Sequence, residues 1–271
     1  MSGEPLVAVL IPVYGAGEAL RATLDSLCDG RLPARIATLI VDDGSEPPLE
    51  IDAARYPRLG LKLIRLPRNE GIAGALNRGL QAARELGAAY VARLDAGDTA
   101  HGDRLAKQLA LLEREPEVGI VGSDVLFVDE AGRLLFRFVA PRSDRETRRR
   151  MHIACCLVHP AVMMRMSVLE AIGLYSQDYP AAEDYDFFFR LLARARAASI
   201  PEPLTTSVIS TRGISLSRRR AQLSSKLRVQ LKYFAFLRPQ SYAGVALTAL
   251  LALLPVRLLA WLKRRVGATR Y

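Results

Sequence analysis

From its first residues the chain alternates short runs of Val, Ile and Leu with stretches whose apolar positions recur at helical spacing. Leu6–Val13, Thr38–Val41, Leu61–Leu66 and Tyr90–Leu94 have the length and composition of strands buried on both faces. Between them, Leu20, Leu24 and Leu27, and then Ala75, Leu76, Leu80 and Ala83, fall on single helix faces. This order predicts repeated β-α units in a mostly parallel, Rossmann-like sheet flanked by helices, an α/β fold. Farther on, the pattern predicts a helix over Arg104–Glu115, a strand over Ile120–Leu126, and a hairpin turn at Asp129–Gly132 leading into Leu134–Val139. A charged helix over Asp144–Arg150 with Ser143 as N-cap follows, then a strand near Leu157–Met164 and an apolar helix within Ala182–Arg194.

Ligands of such a sheet bind in the crevice at the carboxyl ends of its strands. Four successive strand ends carry polar or glycine residues: Tyr14–Gly15, Asp42–Ser45, Arg68–Gly71 and Asp95–Asp98. Asp95 and Asp98, close together on one tight loop, suit a shared hard cation such as Mg²⁺ or Mn²⁺, which would neutralise a departing diphosphate. An Asp-Gly turn with Asp98 capping the next helix accounts for the same residues. Asp43 suits a base or ribose contact and also a plain turn, and Arg68 suits a base or phosphate. Asn77, inside the next helix, either bonds a neighbouring loop or reaches the ligand.

Glu183, Asp184 and Asp186 open an apolar helix. The helix dipole lowers the pKa of a carboxylate there, whereas burial and neighbouring carboxylates raise it. A general base needs the second influence to win, while simple N-capping needs neither. His101, His152 and His159 are scattered without metal-ligand spacing.

Taken in order, Ile11-Pro12-Val13-Tyr14, Asp42-Asp43-Gly44-Ser45, Arg68-Asn69-x-Gly71, Asn77-x-Gly79, Arg93-Leu94-Asp95-Ala96-Gly97-Asp98, His159-Pro160 and Glu183-Asp184-Tyr185-Asp186 resemble the family-2 glycosyltransferases. The resemblance spans about residues 6 to 195. It implies a GT-A fold and inverting sugar transfer from a nucleotide sugar, a UDP-sugar foremost, to a glycan or lipid-linked acceptor. By the same resemblance Pro12, Val13, Tyr14, Asp43, Arg68, Asn77 and Asp95 would line the donor site, Asp95 and Asp98 would hold Mn²⁺ or Mg²⁺, and Asp184, with Glu183 beside it, would be the base. One departure is Gly97, which stands where many members carry a third acid.

Charge changes the picture at the far end. The net charge is +10, yet the last acid is Glu202, and residues 203–271 hold 13 of the 38 Lys and Arg. The remaining 25 cations face 28 acids, so the front is near −3 and the excess lies in the tail. The chain thus divides into a catalytic domain over 1–210 and a basic, apolar helical tail over 211–271. Tyr242–Leu262 is long enough to cross a bilayer, but Pro255 and Arg257 interrupt it. Helices lying in the membrane plane over residues 226–266, with Trp261 and the cations at the headgroups, fit better and place the protein on the cytoplasmic face of the membrane. Packing of the apolar helix against the catalytic domain is the other account.

Three cysteines without C-x-x-C spacing suit a reducing compartment, and the short first apolar run argues against a signal peptide. Gly15-Ala16-Gly17-Glu18-Ala19-Leu20 lacks the third glycine of a dinucleotide fingerprint, which excludes a nicotinamide enzyme of that type. A nucleotidyltransferase stays as the nearest rival. A nucleic-acid-binding protein, suggested by the pI of about 9.9, is disfavoured because the basic residues alternate with aliphatic ones.

Overall fold

The computed structural model describes residues 4–209 and 219–254. Its first half is the expected β-α alternation: β1 (Leu6–Val13), α1 (Gly17–Cys28), β2 (Arg35–Asp42), β3 (Leu61–Arg65), α2 (Gly71–Glu85) and β4 (Tyr90–Arg93). These strands pair in parallel in the order β3-β2-β1-β4, with Val7 opposite both Ile36 and Tyr90. All four carboxyl ends therefore open on one edge.

The second half is mixed. It comprises β5 (Thr99–Ala100), α3 (Arg104–Arg114), β6 (Val118–Val128), β7 (Leu134–Phe138), α4 (Asp144–Met151), β8 (Met163–Arg165), α5 (Met166–Ile172), α6 (Glu183–Leu192) and β9 (Arg196–Val208). The sheet continues β4-β8-β6-β9-β5, with β7 hydrogen-bonded to β6 as the predicted hairpin. β8 is antiparallel to β4 and β6, whereas β9 runs parallel to β6.

Strand alternation assigns the two cores. Val7, Val9 and Ile11 face Leu20, Leu24 and Leu27 of α1 and Leu105 and Leu112 of α3. Ala8 and Leu10 face Ala75, Leu76 and Leu80 of α2, in the cluster that also holds Phe187, Phe188 and Leu191 of α6. Full burial of one such branched or aromatic side chain stabilises by about 1.5–3 kcal/mol, so both helical layers are fixed by apolar packing.

Two segments differ from the sequence reading. The strand expected near Leu157–Met164 is a 3₁₀ turn, His159–Ala161, followed by the short β8, because Pro160 has no N–H for a ladder. β9 is hidden in sequence by Pro201 and Pro203, and its pairing with β6 shifts register opposite them, between Ser123 and Val125. Ser143 caps α4 as expected, its hydroxyl accepting the Glu146 N–H at 3.2 Å.

The tail forms two helices, α7 (Arg219–Lys232) and α8 (Pro239–Leu253), which pack on each other. Val229 of α7 is fully buried in the core that contains Phe187 and Phe188. Gln230 donates to the Ile153 carbonyl at 2.9 Å, and the Ser241 hydroxyl meets His152 Nδ1 at 3.0 Å. The opposite face of α8 leaves Tyr242, Leu247, Leu250 and Leu253 exposed, and the connection before it exposes Phe236 and Leu237. The helix pair thus packs one face on the domain and exposes apolar side chains on the other. No helix among the described residues is long and apolar enough to cross a membrane. Trp261 and Lys263–Arg265, assigned to the headgroups above, lie outside the described residues.

At Gly244 α8 lies tightly against the domain: a Cβ there would stand 2.1 Å from the His152 carbonyl oxygen. Gly244→Ala is therefore expected to lower stability by about 1–3 kcal/mol through overpacking, read as a drop of several degrees in Tm. An unchanged Tm would show that α8 is not seated on the domain.

Candidate active site

The site is built on the end of β4. Arg93 closes an otherwise apolar strand and is only 2 % exposed, yet its guanidinium pairs with Asp95 and donates to the Leu94 carbonyl. Its charge also acts to hold Asp98, Glu183 and Asp184 toward their ionised forms. One buried cation therefore serves both acidic clusters. Behind it, Arg104 of α3, also buried, donates to the Arg93 carbonyl at 2.8 Å, and Gln108 ties α3 to the Val121 and Ala161 carbonyls.

Asp95–Asp98 is a tight turn, with the Asp98 N–H on the Asp95 carbonyl at 3.1 Å and Gly97 at φ +101°. A third acid at position 97 would have to adopt that left-handed backbone, which glycine takes without strain. Thr23 of α1 fastens the turn: its hydroxyl donates to the Asp98 carbonyl at 2.8 Å and accepts the Gly97 N–H at 2.9 Å. Asp95 turns outward, with 42 % of its side chain exposed. Asp98 is buried, and its Oδ1 accepts the Val208 N–H of β9 at 3.1 Å. Its Oδ2 is buried without a partner. Burial first, and the charge of Asp95 second, push the Asp98 carboxyl up to about 7.

No group of three or more His, Cys, Asp or Glu side chains among the described residues is placed to hold a metal. The pair Asp95 and Asp98 nevertheless fits Mg²⁺ or Mn²⁺, which take one or two carboxylates and complete their shell with water and phosphate oxygens. The unpartnered oxygen of Asp98 and the outward carboxylate of Asp95 are the donors on offer.

The second cluster enters through a strained residue, Ala181 at φ +60°, left-handed for a side chain that disfavours it. α6 then starts with Glu183, which is buried and leaves Oε2 without a partner. Burial raises the Glu183 carboxyl, opposed by backbone N–H groups and Arg93. Burial and the adjacent Glu183 charge push Asp184 up to about 7, so the raising influences outweigh the helix terminus. Tyr185 and Asp186 turn away from this pair. The Tyr185 hydroxyl donates to the Met151 carbonyl, and Asp186 is held below the usual carboxylate range because Lys232, Arg190 and Tyr233 overcome its burial.

The remaining strand ends gather along the same edge. Pro12 and Val13 are buried at the end of β1, and Tyr14 stands 62 % exposed. Asp43 is buried and raised by that burial; its two oxygens accept the Glu70 and Gly71 N–H groups at 2.7 and 3.0 Å, which pins the start of α2. Arg68 is exposed on that pinned loop. Asn77 is the loop-bonding residue of its two readings: its amide donates to the Tyr175 carbonyl at 3.0 Å and accepts the Tyr175 N–H at 2.8 Å. Tyr175 in turn stacks on Phe187 at 3.8 Å and meets His159 Nε2 at 2.8 Å, and burial holds His159 neutral.

Sequence reasoning missed Arg93, Thr23 and Val208 as parts of the site. The one available signal was an arginine ending an apolar strand. A cavity of about 690 Å³ between α3 and β9 shares no lining residue with either acidic cluster.

Acidic turns at the carboxyl edge of a parallel half-sheet, continued by a mixed half, are the architecture of the GT-A fold. Residues 8–173 match glycosyl transferase family 2, and the chain belongs to that family. It is 27% identical over 267 residues to the amylovoran biosynthesis glycosyltransferase AmsE of Erwinia amylovora, covering 95% of this chain and 97% of that protein. It is 28% identical over 194 residues to AmsB of the same organism and pathway name, covering 68% and 62%. Among solved structures, S. aureus TarS 1-349 with UDP superposes at TM-score 0.68 and 17% identity over 90% of this chain and 70% of that one. The mannosyltransferase PcManGT of Pyrobaculum calidifontis, with GDP-Man and Mn²⁺, gives 0.62 and 18% over 100% and 82%.

A carboxyl whose folded pKa is raised contributes its stability in full below its unfolded pKa of about 4, and loses it as pH climbs through about 7. Asp184→Asn removes the buried charge and is expected to raise Tm more at pH 8 than at pH 5. Thermal melts at the two pH values decide the matter: a larger gain at pH 5 contradicts the raised carboxyl.

Proposed function

We propose that the protein is an inverting glycosyltransferase in which Asp184 takes the acceptor hydroxyl proton during a single displacement at the anomeric carbon of a nucleoside-diphosphate sugar. The observation that carries this reading is the Asp184 carboxyl pushed up to about 7, where a base is strong enough to accept a proton yet still about half ionised near neutral pH. Asp184 is half-buried at the mouth of α6, whereas Glu183 is buried beside it and supplies the repulsion that raises it. As the acceptor oxygen bonds to the anomeric carbon, the bond from that carbon to the diphosphate oxygen breaks, its electron pair leaves with the nucleoside diphosphate, and the anomer inverts.

Donor recognition is assigned to the β1 to β3 ends. Tyr14 offers an open ring face, Asp43 keeps lone pairs beyond its two backbone bonds for a base or ribose donor, and Arg68 reaches phosphate. Asp95 and Asp98 are the residues to hold Mn²⁺ or Mg²⁺, which when bound supplies positive charge against the departing diphosphate. The nucleotides named with TarS and PcManGT, UDP, UDP-GlcNAc and GDP-Man, support a nucleotide-sugar donor. The amylovoran names of two relatives support a growing or lipid-linked glycan as acceptor.

The acid-free tail and the exposed apolar face of α8 support attachment to anionic lipid on the inner face of the membrane. Cutting the chain at residue 226 would also remove core Val229, so point changes at the exposed connection are the cleaner probe. Phe236→Asp with Leu237→Asp is expected to abolish cosedimentation with vesicles containing phosphatidylserine while leaving Tm unchanged; retained sedimentation removes this surface from membrane contact.

Activity is tested with a panel of UDP- and GDP-sugars and Mn²⁺ or Mg²⁺, scored by nucleoside diphosphate release. Asp184→Asn is expected to lose at least about 10³-fold in turnover and keep donor binding. Substantial turnover by that variant removes Asp184 from the role, and pyrophosphate as product would indicate nucleotidyl transfer instead.

A further inference from the structure

The same short helix that begins with Glu183 and Asp184 is gripped, one turn on, by the basic tail. Asp186 is 1 % exposed. Its Oδ1 accepts the Lys232 ammonium at 2.7 Å and the Tyr233 hydroxyl at 2.9 Å, and its Oδ2 accepts Arg190 Nε at 2.9 Å. The Tyr233 ring also stacks on Phe189 of α6 at 4.4 Å with an interplanar angle of 11°. A second grip falls on the loop that leads into α6. Arg228 donates to the Asp178 carbonyl at 2.8 Å, and both Arg228 and Lys232 lie against the Tyr179 ring, at 5.2 and 5.3 Å from its centroid.

These contacts bracket Ala181, whose left-handed backbone persists only where its surroundings over-determine it. They also account for cations that a purely lipid-directed tail would turn outward. Lys232 and Arg228 stay exposed yet contact protein, and Lys232 completes the hydrogen bonding of the buried Asp186 carboxylate.

We infer that α7 is a positioning element of the active site: the Lys232–Asp186 pair and the Arg228–Tyr179 contact hold the first turn of α6, and the strained loop before it, in the geometry that places Glu183 and Asp184. This rests on the proposed role of Asp184. None of the α7 residues touches substrate; their effect is exerted through the orientation of the acids, and an error of about 1 Å in such a group costs up to about a hundredfold in rate.

The test is steady-state kinetics of the full chain with Lys232→Met and Lys232→Arg, each checked by thermal melt. Lys232→Met is expected to lower kcat about ten- to a hundredfold with the donor KM within about twofold, and Lys232→Arg, which restores the ion pair, to regain most of it. Wild-type kcat in Lys232→Met, or a loss that only tracks the folded fraction and is not rescued by arginine, overturns the inference. If Lys232→Met does not fold, Tyr233→Phe and Arg228→Gln are read by the same criterion. Asp184→Asn run alongside separates the two levels: full turnover there sinks the assignment of the base, whereas its loss together with an inert Lys232→Met sinks only the role of α7.

Discussion

The guanidinium of Arg93 is the charge around which this active edge is organised. Asp95, Asp98, Glu183 and Asp184 come from two distant stretches of chain, and four carboxylates meeting at the end of a sheet repel one another strongly when water is excluded. The buried guanidinium at the tip of β4 makes their assembly tolerable. It does not neutralise all of them. Asp95 has the ion pair, while Asp98 and Asp184 are left with enough burial and repulsion to be pushed up to about 7. Arg93 is buried while Asp95 is 42 % exposed, so water screens the pair in part, and position 93 still couples the packing of the fold to the charge of the site.

Positioning is achieved mainly by backbone groups. Asp43 bonds two N–H groups at the start of α2, Thr23 bonds the Gly97 N–H and the Asp98 carbonyl, and Asn77 bonds the backbone N–H and carbonyl of Tyr175. Each links a strand end or helix to a loop that local sequence alone would leave free. A loop pinned in this way presents its outward residues, such as Arg68 and Asp95, on a rigid base.

Much of this was legible in the sequence because burial imposes period. β1 to β4, α1 to α3 and the β6–β7 hairpin follow from apolar runs and helical spacing, and Ser143 announced α4 by its capping chemistry. What stayed hidden has long-range causes. β9 carries Pro201 and Pro203 and is held as a strand by β6, not by its own propensity. Thr23 reads as an ordinary mid-helix threonine until the Asp95–Asp98 turn is brought to it across the sheet edge. The acidic run at 183–186 looked like one cluster, and only its placement on a helix shows that Asp186 faces α7 while Glu183 and Asp184 lie within the influence of Arg93. The charge pattern of the tail favoured lipid over packing, since no local pattern reveals that Val229 belongs to the core.

The contact between Asp98 and Val208 spans 110 residues, and that between Asp186 and Lys232 spans 46. On a chain emerging amino end first, both acidic clusters are synthesised well before the groups that complete them. The parallel half of the sheet has all its strands in hand once β4 has appeared, whereas the acids at its edge wait for β9 and α7. Loop-closure entropy makes such distant contacts late in folding as well as late in synthesis. The acidic edge is therefore completed late, by segments that follow its carboxylates along the chain.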